Sequence, residues 1–198
     1  LRGGGPMLDM GPYYITDLVQ LLGPIASVIG AATRPRQERI IGSGPQQGAS
    51  VPVEVSTHVA GLLEFASGAV VSILMSFDVP KHRHTPIEIY GSAGSLLVPD
   101  PNRFGGEVML ARTGGDFEAQ PLSHGHADGE FRSIGVADMA AAILADRPHR
   151  ASGALALHVL EAMEAFQRSS DEGRRIPLET TVDRPSAIPA GLSDGQLD

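Results

Sequence analysis

Three consecutive glycines directly before a proline, Gly3-Gly4-Gly5-Pro6, fix where this chain can first become helical. Glycine reaches backbone conformations closed to other residues and lets a ligand or a second segment come close to the main chain. Proline suits the first helical turn, where its missing N–H costs nothing. A helix started there runs over Pro6–Leu22 and stops at Gly23-Pro24, a strong C-terminal signal. Pro12 lies inside it and cannot donate to the Leu8 carbonyl, which predicts a kink. Asp9 and Tyr13 are four residues apart and share one helix face. Two readings of this pair stay open. It is either a carboxylate and a phenol handling a proton beside a glycine turn, or an N-terminal acid favoured by the helix dipole with an aromatic in the core. Tyr14 points about 100° away on the same helix and reads as packing.

Short apolar runs separated by tight turns follow. A strand is predicted over Ile25–Arg36, then a Gly/Pro/Gln-rich loop from Ile41 to Pro52. In the run Val53–Ala66, Val53, Val55, Thr57, Val59, Gly61 and Leu63 fall on one face. Ser67-Gly68 reads as a two-residue hairpin turn into Ala69–Asp78. Further strands are expected at Ile87–Tyr90, Ser95–Val98 and Val108–Arg112. Two helices close the pattern. Phe131–Ala145 carries Phe131, Ile134, Val136, Met139, Ala142 and Ile143 on an apolar stripe. Gly153–Ser169, with Ser152 as its cap, turns Leu157, Leu160, Met163 and Phe166 inward. Strands joined by tight turns favour an antiparallel meander over crossover units. The expected class is α+β, a largely antiparallel (mixed) open-faced sheet with helices packed on one face. The bare face then calls for a partner. Residues 1–185 are read as one domain, and 186–198 as a mobile tail.

Composition narrows the function. A formal charge of −8 and no basic run argue against nucleic acid or an anionic membrane as partner. The absence of cysteine removes disulfides, thiolate catalysis and thiolate metal sites together. No apolar run approaches the ~20 residues of a membrane span. No signal-peptide pattern is visible either, so the expected location is cytoplasmic. Leu1-Arg2 directly before the glycine motif reads as the start of a fragment of a longer protein.

The order Gly3-Gly4-Gly5-Pro6-Met7-Leu8-Asp9-Met10-Gly11-Pro12-Tyr13 resembles the motif opening the substrate domain of the Gfo/Idh/MocA oxidoreductases. That pattern is a glycine run, apolar residues, Asp, an apolar residue, Gly, any residue, then His. Tyr13 stands where most members carry His, although some, including the glucose–fructose and dihydrodiol enzymes, are similar in having Tyr there. The resemblance extends through Thr57-His58-Val59-Ala60-Gly61, Phe65-Ala66-Ser67-Gly68-Ala69, Ile87-Glu88-Ile89-Tyr90-Gly91-Ser92-Ala93-Gly94 and Arg147-Pro148-His149-Arg150-Ala151-Ser152. It implies a C-terminal (substrate/oligomerisation) domain like that of glyceraldehyde-3-phosphate dehydrogenase. Its exposed sheet face would pair into a homo-oligomer, and its helices would lean on a nucleotide-binding domain. No Gly-x-Gly-x-x-Gly follows an N-terminal strand here, so the chain is expected to lack that Rossmann domain. NAD or NADP would bind to the parent protein. No cofactor is expected on this fragment, which alone would be inactive.

The activity implied is hydride transfer between a nicotinamide and a carbinol of a sugar, polyol or diol. The alternative is a non-catalytic sugar-binding or assembly module of the same fold. Asp9 and Tyr13 are the catalytic candidates. An alcohol releases hydride readily only if its hydroxyl proton leaves too, which calls for a base within hydrogen-bond reach. A phenol titrating near ~10 needs a neighbouring cation for that role, and a Lys from the missing half would be one. His82, Arg83 and His84 sit on a connection that borders the substrate pocket in the family, and are candidates for binding hydroxyls or a carboxylate. The alternative is a solvated loop. His124 and His126 are candidates as part of a substrate lid, with a plain loop as the alternative. With Asp128 they also suggest a metal, but a true site needs three or four convergent ligands, so no metal is expected. His58 and His158 read as structural.

Overall fold

The computed structural model describes residues 2–198, which form two compact units. The first comprises 2–81 with 153–184, the second 82–152 with 185–198. The class is α+β with open sheets, and every strand pairing is antiparallel.

In the first unit, helix α1 spans Pro6–Leu22 and runs on through Pro12. Gly5 caps it at φ 100°, where a Cβ would come within 2.9 Å of the Ser56 carbonyl. Only glycine fits there. Strands β1 (Ile25–Thr33), β4 (His58–Phe65), β5 (Val70–Ser76) and β10 (Ile176–Pro177) form one sheet in the order β10-β1-β4-β5. The segment from Val53 to Thr57, expected to be strand, lies outside β4. The loop from Ile41 to Pro52 is clamped by a small ribbon, β2 (Glu38–Ile40) with β3 (Ser50–Pro52), too short to carry a periodic signal. The β4–β5 hairpin is one residue longer than expected. Phe65 donates its N–H to the Ala69 carbonyl, leaving Ala66-Ser67-Gly68 as the loop with Gly68 at φ 89°.

Helix α3 (Gly153–Glu172) packs across β1 and β4. Gly30 and Gly61 face each other in the β1–β4 ladder, directly beneath Phe166. A Cβ on Gly30 would stand 2.4 Å from the Phe166 carbonyl oxygen, and one on Gly61 only 2.1 Å from that of Ile29. β10 covers β1 only near Ser27 and Val28, so side chains of α3 take up the open edge. The Ile25 N–H donates to His158 Nε2 (2.9 Å), the Gly30 N–H to Ser169 Oγ (2.9 Å) and the Ala32 N–H to Ser170 Oγ (2.9 Å). This rotates α3 from the expected face. Leu155, His158, Val159, Ala162, Met163, Ala165, Phe166 and Ser169 point inward, while Leu157 and Leu160 are exposed. His158 is fully buried. Its Nδ1 bonds Thr180 Oγ1 at 3.0 Å, and burial holds its pKa below the ordinary histidine value. His58 Nδ1 lies 2.9 Å from Ser76 Oγ, a satisfied sheet residue.

On the sheet face away from the helices, Ala31, Leu62, Val70 and Leu74 are exposed.

The second unit holds a meander of β6 (Ile87–Gly91), β7 (Gly94–Val98), β8 (Val108–Arg112) and β9 (Glu118–Gln120), paired in sequence order. The strands therefore belong to separate sheets and not to one. Helix α2 (Ile134–Leu144) departs from its expected burial pattern. Asp138 and Ala142 are its buried residues, and Val136, Met139, Ile143 and Leu144 are exposed, Leu144 at 89%. The inward face is a hydrogen-bonding one. Asp138 Oδ1 accepts from Arg147 Nη2 (3.0 Å) and Arg150 Nη1, and Oδ2 from the Arg150 N–H (2.7 Å).

A methyl group at position 61 has to displace backbone, so Gly61→Ala is expected to lower unfolding free energy by about 2–4 kcal/mol. Gly42→Ala, where a Cβ meets open space, should change it by less than ~0.5 kcal/mol. Urea denaturation of both variants checks the pair; equal stabilities would refute the contact.

Candidate active site

Helix α1 positions both catalytic candidates. Asp9 and Tyr13 are exposed, Tyr13 at 39%, on the flank away from the buried stripe of Met7, Gly11, Ile15, Leu18 and Val19. The Asp9 N–H donates to the Gly5 carbonyl at 3.0 Å, closing the first turn of the helix. An exposed acid and an exposed phenol, one turn apart, can meet the same small molecule from solvent.

One helical turn beyond Tyr13 stands a residue that spacing did not single out. Asp17 Oδ2 is buried and has no hydrogen-bond partner among the described residues. Burial pushes this carboxyl up to about 6. The signal in the sequence was the repeat of polar side chains at 9, 13 and 17, masked because Asp17 reads as an ordinary solvent-facing acid.

A recess of about 360 Å³ lies beside the glycine run, and Asp9 and Tyr13 are not among its walls. Its floor includes Met7, Val59 and Phe166, with Arg34, Glu54 and Gln167 among the polar groups. Ser56 Oγ donates to Gln167 Oε1 at 2.8 Å along one side. Arg34 donates from Nη1 to the Val53 carbonyl at 2.9 Å. None of these polar residues carried a motif in the sequence.

The remaining candidates belong to the second unit. His82, Arg83 and His84 are exposed, with the two imidazoles stacked at 6.2 Å between centroids. His124 and His126 line a common recess of about 310 Å³ with Gly105, Val108, Gln120 and Leu122. They differ in freedom. His124 is exposed, its Nδ1 2.9 Å from Ser123 Oγ. His126 is buried, edge-on to Phe131, and its Nε2 accepts the Gly195 N–H at 2.8 Å. Its ring is therefore engaged in structure. Among the described residues no three His, Cys, Asp or Glu side chains converge as metal ligands. Among the described residues no two strands pair in parallel, and none is joined to the next by a helical crossover within one sheet.

Residues 1–97 match the family model described as the GFO/IDH/MocA C-terminal domain. No curated protein matches the chain. Among solved structures, it is similar to levoglucosan dehydrogenase in its apo form, at 21% identity and a TM-score of 0.72, over 92% of this chain and 53% of that one. Levoglucosan dehydrogenase in complex with NADH and L-sorbose gives 20%, 0.71, 91% and 52%. Aldose–aldose oxidoreductase from Caulobacter crescentus, complexed with glycerol, gives 23%, 0.65, 90% and 49%. At these identities the likeness speaks for the fold. The chain spans about half the length of these solved relatives. Among its described residues no helix is long and apolar enough to cross a membrane.

The buried Asp17 carboxyl has a stability signature with a definite sign. Its folded pKa lies above the unfolded value of 3.8, so the folded state is penalised as pH rises through about 6 and is free of that penalty below the unfolded value. Asp17→Asn should therefore stabilise the protein by about 2 kcal/mol at pH 8 and give no gain below pH ~4. Thermal melts at both pH values read this difference. An equal gain at both would contradict an ionised, desolvated Asp17.

Proposed function

We propose that this chain is the substrate-binding and oligomerisation half of an NAD(P)-dependent oxidoreductase acting on a carbinol of a sugar, polyol or diol. The dinucleotide-binding Rossmann domain would lie in a part of the protein outside this sequence. One observation carries the reading: Asp9 and Tyr13 lie exposed on one flank of α1, on the family's motif and opposite the core. Further support comes from relatives solved with NADH and L-sorbose and with glycerol.

In this reading Tyr13 exchanges the proton of the substrate hydroxyl, and Asp9 orients the substrate or polarises the phenol. A phenolate is reachable near neutral pH only beside a cation, which a Lys from the nucleotide-binding half would supply. His82, Arg83, His84, His124 and His126 are carried as substrate-binding candidates, with His124 the freer of the two loop imidazoles. The exposed apolar residues Leu62, Val70 and Leu74 support self-association through the bare sheet face.

In the intact protein, Tyr13→Phe should lower turnover by about 10²-fold or more while leaving cofactor affinity nearly unchanged. The assay is a panel of sugars, polyols and diols with both nicotinamides, following absorbance of the reduced cofactor. Unaltered turnover in the variant would remove Tyr13 from the chemistry and favour the non-catalytic binding or assembly module.

A further inference from the structure

The loop around His126 is held in a conformation that its own sequence disfavours. His126 has φ 61°, the left-handed region that a side chain with a Cβ rarely adopts. No helix or strand frames it, since β9 ends at Gln120 and α2 begins at Ile134. Such strain persists only where surrounding contacts over-determine it.

Those contacts come from residues 191–195. The His126 N–H donates to Asp194 Oδ1 at 2.6 Å, and the Gly195 N–H donates to His126 Nε2 at 2.8 Å. The Gly191 N–H donates to the Ser123 carbonyl at 3.0 Å. Gly125 passes so close that a Cβ there would stand 2.6 Å from the Leu192 carbonyl oxygen. The segment is gripped from both sides of this contact by a single residue. Arg150 donates from Nε to the Ser186 carbonyl (3.0 Å) and from Nη2 to the Leu197 carbonyl (3.3 Å). Arg147 donates from Nη2 (2.6 Å) and Nε (3.2 Å) to Asp198 Oδ2. The buried Asp138 orients both guanidiniums. One carboxylate against two cations leaves a positive charge, which Asp198 meets.

We infer that residues 185–198 form a strap, buckled on the Arg147–Arg150 pair, that holds the 123–127 loop closed and thereby sets access to the recess lined by His124 and His126. The inference stands independently of the hydride-transfer reading, because it rests on contacts within one unit and not on any substrate. Closure depends on the fit of Asp194 and Gly195 to His126, and the buckle keeps that stretch in place. Release frees His126 to leave its left-handed conformation, and the wall of the recess moves with it.

The test uses the full chain. Asp194→Ala should raise amide hydrogen exchange of His126 by about tenfold or more. Asp198→Asn should accelerate exchange across 123–127 and 191–196 by about three- to tenfold while β6–β8 keep their protection. Since the chain has no cysteine, Ala127→Cys reports the recess directly. Its labelling by a small thiol reagent should quicken by about fivefold when combined with Asp198→Asn. Wild-type exchange in both variants would overturn the strap. So would equal acceleration in β6–β8, which would mean that the unit had loosened as a whole, or labelling that ignores Asp198.

Discussion

The open edge of β1 is the constraint on which the first unit depends. Between the short cover of β10 and the end of the strand, its N–H groups need acceptors that no neighbouring strand supplies. His158, Ser169 and Ser170 supply them from α3. Reaching that edge requires the helix backbone to come close to the sheet, and Gly30 and Gly61 create the space. Polar satisfaction and close packing are thus one arrangement. A side chain at either glycine would push the helix away and leave buried donors unpaired, each at a cost of about 1–3 kcal/mol. The Asp9–Tyr13 flank lies on a helix that packs against this same α3, so its placement follows from the edge being covered.

Several features were legible in the sequence for physical reasons. The bounds of α1 were set by Pro6 and by Gly23-Pro24, and the structure reproduces them. Hairpin strands β4, β5, β6, β7 and β8 announced themselves by alternation and by glycine at their turns. The inward faces of α2 and α3 were not legible. A hydrophobic stripe assumes that a helix buries its most apolar side, whereas α3 buries His158 and Ser169 for their hydrogen bonds and α2 buries Asp138 between two arginines. Both depend on partners far along the chain, which periodicity does not contain.

The same limit applies to the site. The Asp9–Tyr13 pairing follows from helical spacing alone and is local. The difference between His124 and His126 is not, because it turns on Gly195 and Asp194. Asp17 was invisible for a related reason. Its type and position fit a solvent-facing helix residue, and only the surrounding packing makes it a desolvated carboxyl.

The first unit is assembled from two stretches of chain with residues 82–152 between them, and this orders the events of folding. The β6–β9 meander pairs only neighbours in sequence and can form soon after it is synthesised. The β1–β4–β5 sheet cannot be completed until α3 emerges and a long loop closes, an entropic toll that short-range hairpins avoid. Until then the edge of β1 stands bare, a template for strands of other molecules. Ribosome-bound chains that stop before Gly153 would carry that hazard in full.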